Sequence, residues 1–393
     1  MMTRSGRPVL CLTLTASLCA SACSDAQSTP PGATLAIGEL LGGADTLHAR
    51  AIGPQPFTFP ADHGPHPEFR TEWWYFTGSL TAERGRELGY QLTFFRSALT
   101  DSASFLNAAG VERSSWRTRH AYMAHLAVTD AADAHFHSAE KFARGAAGLA
   151  GAHAPPLRVW LDDWSVESVS AATTFPVRLK AHADDFALDL VLHQGKPIVL
   201  QGDRGFSRKG AEAGNASYYY SLTRMPTGGT IRTPAGTHAV TGTSWLDREW
   251  STSVLPPGVN GWDWLSLQLD DSTELMLYRL RRADGTVDPF SAATFIASDG
   301  TARGFGADEF GMRPVRMWRT ADGVEYPVAW SVAVPALDLT VDVRAALDDQ
   351  ELNHAVRYWE GMVGARGTHA GRPISGRGYL EMTGYAGAQD STQ

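Results

Sequence analysis

Glu68-Phe69-Arg70-Thr71-Glu72-Trp73-Trp74-Tyr75-Phe76-Thr77-Gly78 decides the fold. Four consecutive aromatics follow Arg70 and Glu72 and stop just short of a glycine. Aromatic and β-branched residues at this density favour a strand. In a strand, Trp73 and Tyr75 point one way, Trp74 and Phe76 the other. Both faces are large and apolar, so the strand needs cover on both sides. A barrel wall, lined inside and packed outside, supplies that cover; the core strand of a β-sandwich does so too.

The neighbouring sequence extends the pattern. Leu88, Tyr90, Leu92 and Phe94 alternate with Gly89, Gln91, Thr93 and Phe95 beyond a turn at Thr81–Arg86, which predicts a hairpin. Tyr122–Thr129 reads as a further strand with His125 on its less apolar side. Val177–Ala181 and Phe186–Leu192 pair across Asp184-Asp185. Ser217–Leu222 is a second aromatic strand, and a turn at Pro234-Ala235-Gly236 precedes Trp245-Leu246-Asp247-Arg248-Glu249-Trp250. Short alternating segments at hairpin spacing are the pattern of an antiparallel barrel or sandwich. After a Pro/Gly loop at Ser251–Asn260 the pattern restarts. Gly261–Arg279 repeats the order of Trp73–Arg96: aromatic strand, turn, alternating strand, closing arginine. Two similar β-domains are expected, over residues 46–245 and 246–388, with a tail at 389–393. Gly376–Tyr385 reads as a strand that seals the second.

Bulk composition agrees. The chain has 393 residues and 12 Trp, enough for about two cores. Its net charge of -8 and lack of a Lys/Arg run argue against nucleic acid as a partner. Arg4 and Arg7, an apolar stretch at Pro8–Leu18, and Ala20-Ser21-Ala22 before Cys23 read as an export signal over residues 1–22. Small residues before a cysteine also look like a lipobox, although Ala20 stands where such motifs usually carry Leu. Cys23 is the expected lipidation site and residues 23–45 a flexible tether, so the protein is expected at the cell envelope or secreted. No other run approaches the about 20 apolar residues of a membrane span, so the lipid is the only expected membrane anchor. Oligomeric state is not legible.

Familiar catalytic signatures are missing: H-E-x-x-H, C-x-x-C, G-x-S-x-G and the P-loop. His63 and His66 sit three apart in a loop, and His135 and His137 share a strand face. No carboxylate or cysteine at ligand spacing completes either pair, so no metal is expected and solvated loop histidines are the reading. His125 is either a cavity residue or a satisfied core histidine. The densest titratable cluster is Trp245–Trp250. In a strand, Asp247 and Glu249 face one side with Trp245 beside them. Carboxylates in an aromatic-walled place have pKa values pushed up and apart, which suits a general acid. An ordinary Asp/Arg/Glu ion-pair network is the alternative.

Three segments together carry a family resemblance: Arg70–Gly78, Trp245–Trp250 and Gly378–Tyr385. They resemble the carotenoid 1,2-hydratase (hydroxyneurosporene synthase) and AttH-type superfamily over nearly the whole mature chain. The resemblance implies an all-β fold of two lipocalin-like antiparallel barrels packed together. It implies, for hydratase members, cofactor-free addition of water to a terminal isoprenoid double bond through a carbocation. The family aspartate lies in a Tyr-His-Asp-His-Asn-Trp-Gly-like motif and matches Asp247; Trp250 matches its tryptophan. Trp245, Leu246, Arg248, Glu249 and Ser251 depart from it, which makes this chain similar to the secreted AttH branch.

Two functions follow as expectations. In the first, a lipophilic molecule enters a barrel mouth, Asp247 donates a proton and Glu249 orders a water. Trp245, Trp250, Tyr218, Tyr220, Trp73, Tyr75 and His125 would bind the substrate, with tyrosine and tryptophan faces stabilising positive charge. In the second, a lipid-anchored carrier holds a hydrophobic ligand and serves an ABC-type exporter. A secreted hydrolase is a third reading, for which no nucleophile elbow is present.

Overall fold

The computed structural model describes residues 47–100, 117–253, 255–256 and 258–386, which belong to one compact unit. The expected export signal, Cys23, the tether to residue 45 and the tail at 389–393 lie outside the described residues.

Among the described residues the strands form two antiparallel sheets. The first contains β1 (Thr71–Ala82), β2 (Glu87–Ala98), β3 (His120–Asp130), β4 (His135–Arg144), β5 (Ala150–His153), β6 (Arg158–Leu161), β7 (Trp164–Ser170), β8 (Thr173–His182), β9 (Ala187–Leu192), β10 (Val199–Leu200), β11 (Phe206–Arg208), β12 (Ala216–Thr233) and β13 (Gly236–Ser253). The second contains β14 (Val259–Leu269), β15 (Glu274–Arg282), β16 (Ala292–Ile296), β17 (Ala302–Gly306), β18 (Gly311–Arg319), β19 (Glu325–Val334), β20 (Leu339–Ala345), β21 (Glu351–Asn353), β22 (Arg357–His369) and β23 (Arg372–Thr383). In space the first runs β4-β3-β2-β1-β13-β12-β9-β8-β7-β6-β5, the second β17-β16-β15-β14-β23-β22-β20-β19-β18. Each sheet therefore pairs its first long strand with its last, and the repeat read from the aromatic runs is a repeat of topology. These are two packed lipocalin-like barrels. The change of sheet falls between Ser253 and Val259 rather than at 245/246, because β1 pairs along its whole length with β13, from Ala82↔Val240 to Thr71↔Ser251.

Burial follows the period of two. Strand β8 is buried at alternate residues only, at Val177, Leu179 and Ala181. By contrast β1 is buried on both faces over most of its length. Trp74 and Phe76 join Leu92, Phe94, Leu126 and Leu246 in a core that fills the first barrel. Leu265, Leu277, Trp330, Val341, Trp359 and Leu380 fill the second. The opposite faces meet: Tyr75, Tyr219 and Trp245 of the first barrel pack on Trp264, Met276, Tyr278 and Met362 of the second. Apolar area on both walls makes this seam a third core.

One end of the first barrel is stoppered by the segment that precedes β1. Phe57, Phe59 and Phe69 pack on Tyr218, Tyr220 and Trp250. His63 Nδ1 lies 2.6 Å from the Tyr220 hydroxyl, and the His66 ring stacks 3.7 Å above Trp250. Both histidines are buried, so the expectation of solvated loop histidines is corrected. Beneath the stopper, Glu72 pairs with both Arg96 and Arg248, and all three are buried.

Candidate active site at the seam

A cavity of about 760 Å³, counting the space at its opening, lies between the barrels. Pairing register builds one wall. Asp247 stands opposite Tyr75 on β1 and Ser221 on β12; Glu249 stands opposite Trp73 and Tyr219. All four partners share the face that looks away from the barrel core. The other wall comes from Trp262 and Trp264 on β14, Tyr278 and Leu280 on β15, Tyr358 on β22 and Glu381 on β23.

Asp247 is buried and fully ligated. Its Oδ2 accepts the Tyr219 hydroxyl at 2.7 Å; its Oδ1 accepts Trp245 Nε1–H at 2.7 Å and the Ser221 hydroxyl. Tyr219 in turn accepts from Trp264 Nε1 at 3.2 Å, which ties the aspartate to the opposite barrel. Burial pushes the Asp247 carboxyl up to about 7, against the pull of its three donors; Glu249 adds a smaller upward push. Glu249 accepts from Ser217 and faces Lys209 Nζ at 3.5 Å. Burial opposes the Lys209 charge, yet Glu249 and Tyr278 hold its pKa above the ordinary value. The ammonium also sits 3.8 Å over the Tyr278 ring. On the far wall, burial pushes Glu381 up to about 8, although Trp262 Nε1 donates to it at 2.9 Å. The site thus holds one carboxyl, Glu381, kept largely neutral near pH 7, another, Asp247, about half-protonated there, one carboxylate–ammonium pair, and walls of indole and phenol.

The structure brings together Asp247, Glu249, Trp245, Trp73 and Tyr75 as their strand positions predict. It does not bring Tyr218, Tyr220 or Trp250 to the cavity. They occupy the barrel side of β12 and β13, under the stopper, because Tyr219↔Glu249 is the in-register pair and alternate residues face away. Tyr219 takes their expected place. The expected route through a barrel mouth is likewise corrected: the cavity instead lies between the two sheets, apart from the buried cluster inside each. His125 is one layer back, behind Tyr358. Arg248 pairs with Glu72 and stacks 3.8 Å over Trp74, so it belongs to the barrel side and not to Asp247. Lys209, Glu381 and Tyr358 were missed. Glu381 lies in a strand already quoted from the sequence, but nothing local marks it, Tyr358 or Lys209 as facing a site.

Comparison places this geometry among known proteins. A protein from Nitrosomonas europaea described as an AttH is 36% identical, with a TM-score of 0.74 over 86% of this chain and 99% of its own. Kievitone hydratase from Nectria haematococca shares the fold at 16% identity and a TM-score of 0.61, over 87% of this chain and 96% of its own. No curated protein matches the sequence. The AttH-like family pattern matches residues 50–385, which takes in both barrels and the whole seam, and the chain belongs to the AttH-like family.

Proposed function

We propose that the protein adds water across a carbon–carbon double bond of a lipophilic, isoprenoid- or lipid-like molecule held in the seam. The observation that carries this reading is Asp247: a buried carboxyl whose pKa is about 7, in an aromatic cavity, with three donors already aimed at it. A neutral carboxylic acid can give its proton to an alkene carbon. The carboxylate left behind is stabilised at once by Tyr219, Trp245 and Ser221, with no reorganisation. The π faces of Trp264, Trp73 and Tyr278 stabilise the cation formed. Water then closes the C–O bond, ordered beside Glu249 and Lys209. The π bond and one O–H bond of the water break, one C–H and one C–O bond form, and the proton released from the water restores the Asp247 carboxyl, so alkene plus water gives an alcohol. The same fold carries a hydratase in Nectria haematococca.

The test is incubation of the purified protein with an acyclic polyene and mass spectrometry of the extract. The expected product is heavier by one water. Asp247→Asn should lower turnover by at least about a hundredfold while polyene binding, read from tryptophan fluorescence, survives. Unchanged turnover in that variant refutes the role. A polyene that is bound and returned unaltered by the wild-type protein makes it a carrier. Export and lipidation at Cys23 are part of the same proposal, checked by the mass of the mature N-terminal peptide.

A further inference from the structure

Tyr358 lines the cavity and has no part in the chemistry above. Its hydroxyl lies 2.7 Å from Nδ1 of His125, and Nε2 of that histidine lies 2.9 Å from Oε2 of Glu140. Strands β22, β3 and β4 supply the three groups, so the line crosses the seam. His125 is fully buried. Glu140 stands directly opposite it in the β3–β4 register, and its other oxygen accepts the Ala355 N–H at 3.4 Å. The carboxylate is therefore held at both ends. Burial works against its charge, but the hydrogen bond from His125 keeps the carboxyl below its ordinary value.

The proton positions follow from what each neighbour can do. An ionised carboxylate only accepts, so Nε2 of His125 carries a hydrogen toward Glu140. In the Nε2–H tautomer Nδ1 offers a lone pair, and the Tyr358 hydroxyl donates to it. A hydroxyl bonded to an imidazole that a carboxylate orients is the arrangement that activates oxygen nucleophiles and bases. The Tyr358 hydroxyl sits on the wall contributed by the second barrel, while His125, Glu140 and Asp247 belong to the first.

We propose that Tyr358, backed by His125 and Glu140, is the base arm of the seam site and takes the proton of the attacking water. This rests on the hydration reading above. As the C–O bond forms, one O–H bond of the water breaks and its proton passes to the Tyr358 oxygen. The tyrosine's own proton passes to Nδ1. The imidazolium is stored against the Glu140 carboxylate. After the product leaves, the proton returns through Tyr358 and cavity water to Asp247, which gave its own to the alkene. All groups are then back in their starting state. Tyr358 is catalytic in this scheme; His125 and Glu140 are positioning residues.

Two measurements decide it. The first needs no substrate: nitrogen-15 NMR of the full chain labelled at histidine, with His125→Gln assigning the signal. At neutral pH the expected tautomer is Nε2–H with a bare Nδ1, and Tyr358→Phe should shift the Nδ1 resonance. A proton on Nδ1, or no shift in Tyr358→Phe, overturns the proposal. The second is turnover of the acyclic polyene. Tyr358→Phe and Glu140→Gln should each lower kcat about a hundredfold with KM within about twofold, a split that loss of fold would not give. Wild-type turnover in Tyr358→Phe overturns this arm and leaves Asp247 standing. No alcohol from the wild-type protein overturns the hydration reading and this arm with it.

Discussion

Two buried carboxyls show what neighbours do to one functional group. Glu72 faces two guanidiniums. Burial works against its charge, but Arg96 and Arg248 hold it well below the usual carboxylate range. Its contribution to stability is present above the unfolded value near 4.5 and is lost as pH falls through the lower folded value. Glu72→Gln leaves both cations short of their partner and should cost about 3–5 kcal/mol in denaturant unfolding. Asp247 faces donors without a cation and goes the other way. Its folded pKa is raised, so the stability it supports is full below 3.8 and declines as pH rises through about 7. Between pH 5 and pH 8 the stability of Asp247→Asn should therefore fall less than that of the wild type, by roughly 2 kcal/mol. Turnover should fall above about pH 7, where the acid ionises. That Asp247 and Glu249 share a face was legible, because strand alternation is local. Which tyrosine joins them was not. The phase of β12 against β13 is set by pairing, and β12 carries register shifts on both sides of the Tyr218–Leu222 stretch. The burial of His63 and His66 depends on Tyr220 and Trp250, far away in the chain, and leaves no local trace.

Among the elements, β23 leaves little room for change. Gly378 stands opposite Leu267 on β14, and a Cβ there would come within 1.8 Å of the Ser266 carbonyl oxygen. A contact of that kind, backbone against backbone, cannot be relieved by a rotamer. Gly378→Ala should push the closing strand from β14 and lower the unfolding midpoint by at least about 4 °C, roughly 2 kcal/mol, in a thermal melt. A neutral effect would mean that β23 is not the seal of the second barrel. Hairpins such as β1–β2 and β14–β15 were legible, since both arms alternate and a turn lies between them. The 18-residue arms of β12 and β13 were visible only in pieces. Their glycines and threonines interrupt the apolar alternation, and tertiary pairing carries the strand through them.

For the whole molecule, hydrogen bonds and ring contacts across the seam couple the barrels. Tyr75 donates to Glu360 at 2.6 Å, Trp264 donates to Tyr219, and aromatic pairs such as Tyr75–Trp264 at 5.2 Å bridge the two walls. Calorimetry should show a single transition, and Trp264→Ala on the second barrel should lower it by an amount consistent with about 3–5 kcal/mol. Two separated peaks, with the first barrel's peak unmoved by that substitution, would contradict the coupling. A duplicated β architecture was legible from the repeated aromatic run. The position of the site was not, because a strand buried on both faces does not say which side is lumen and which is seam. Solid lumens leave each body free of any need to stay hollow, so the width of the gap between two stiff blocks sets which molecules fit. A small tilt of one block would alter selectivity while every residue of both interiors stayed as it is.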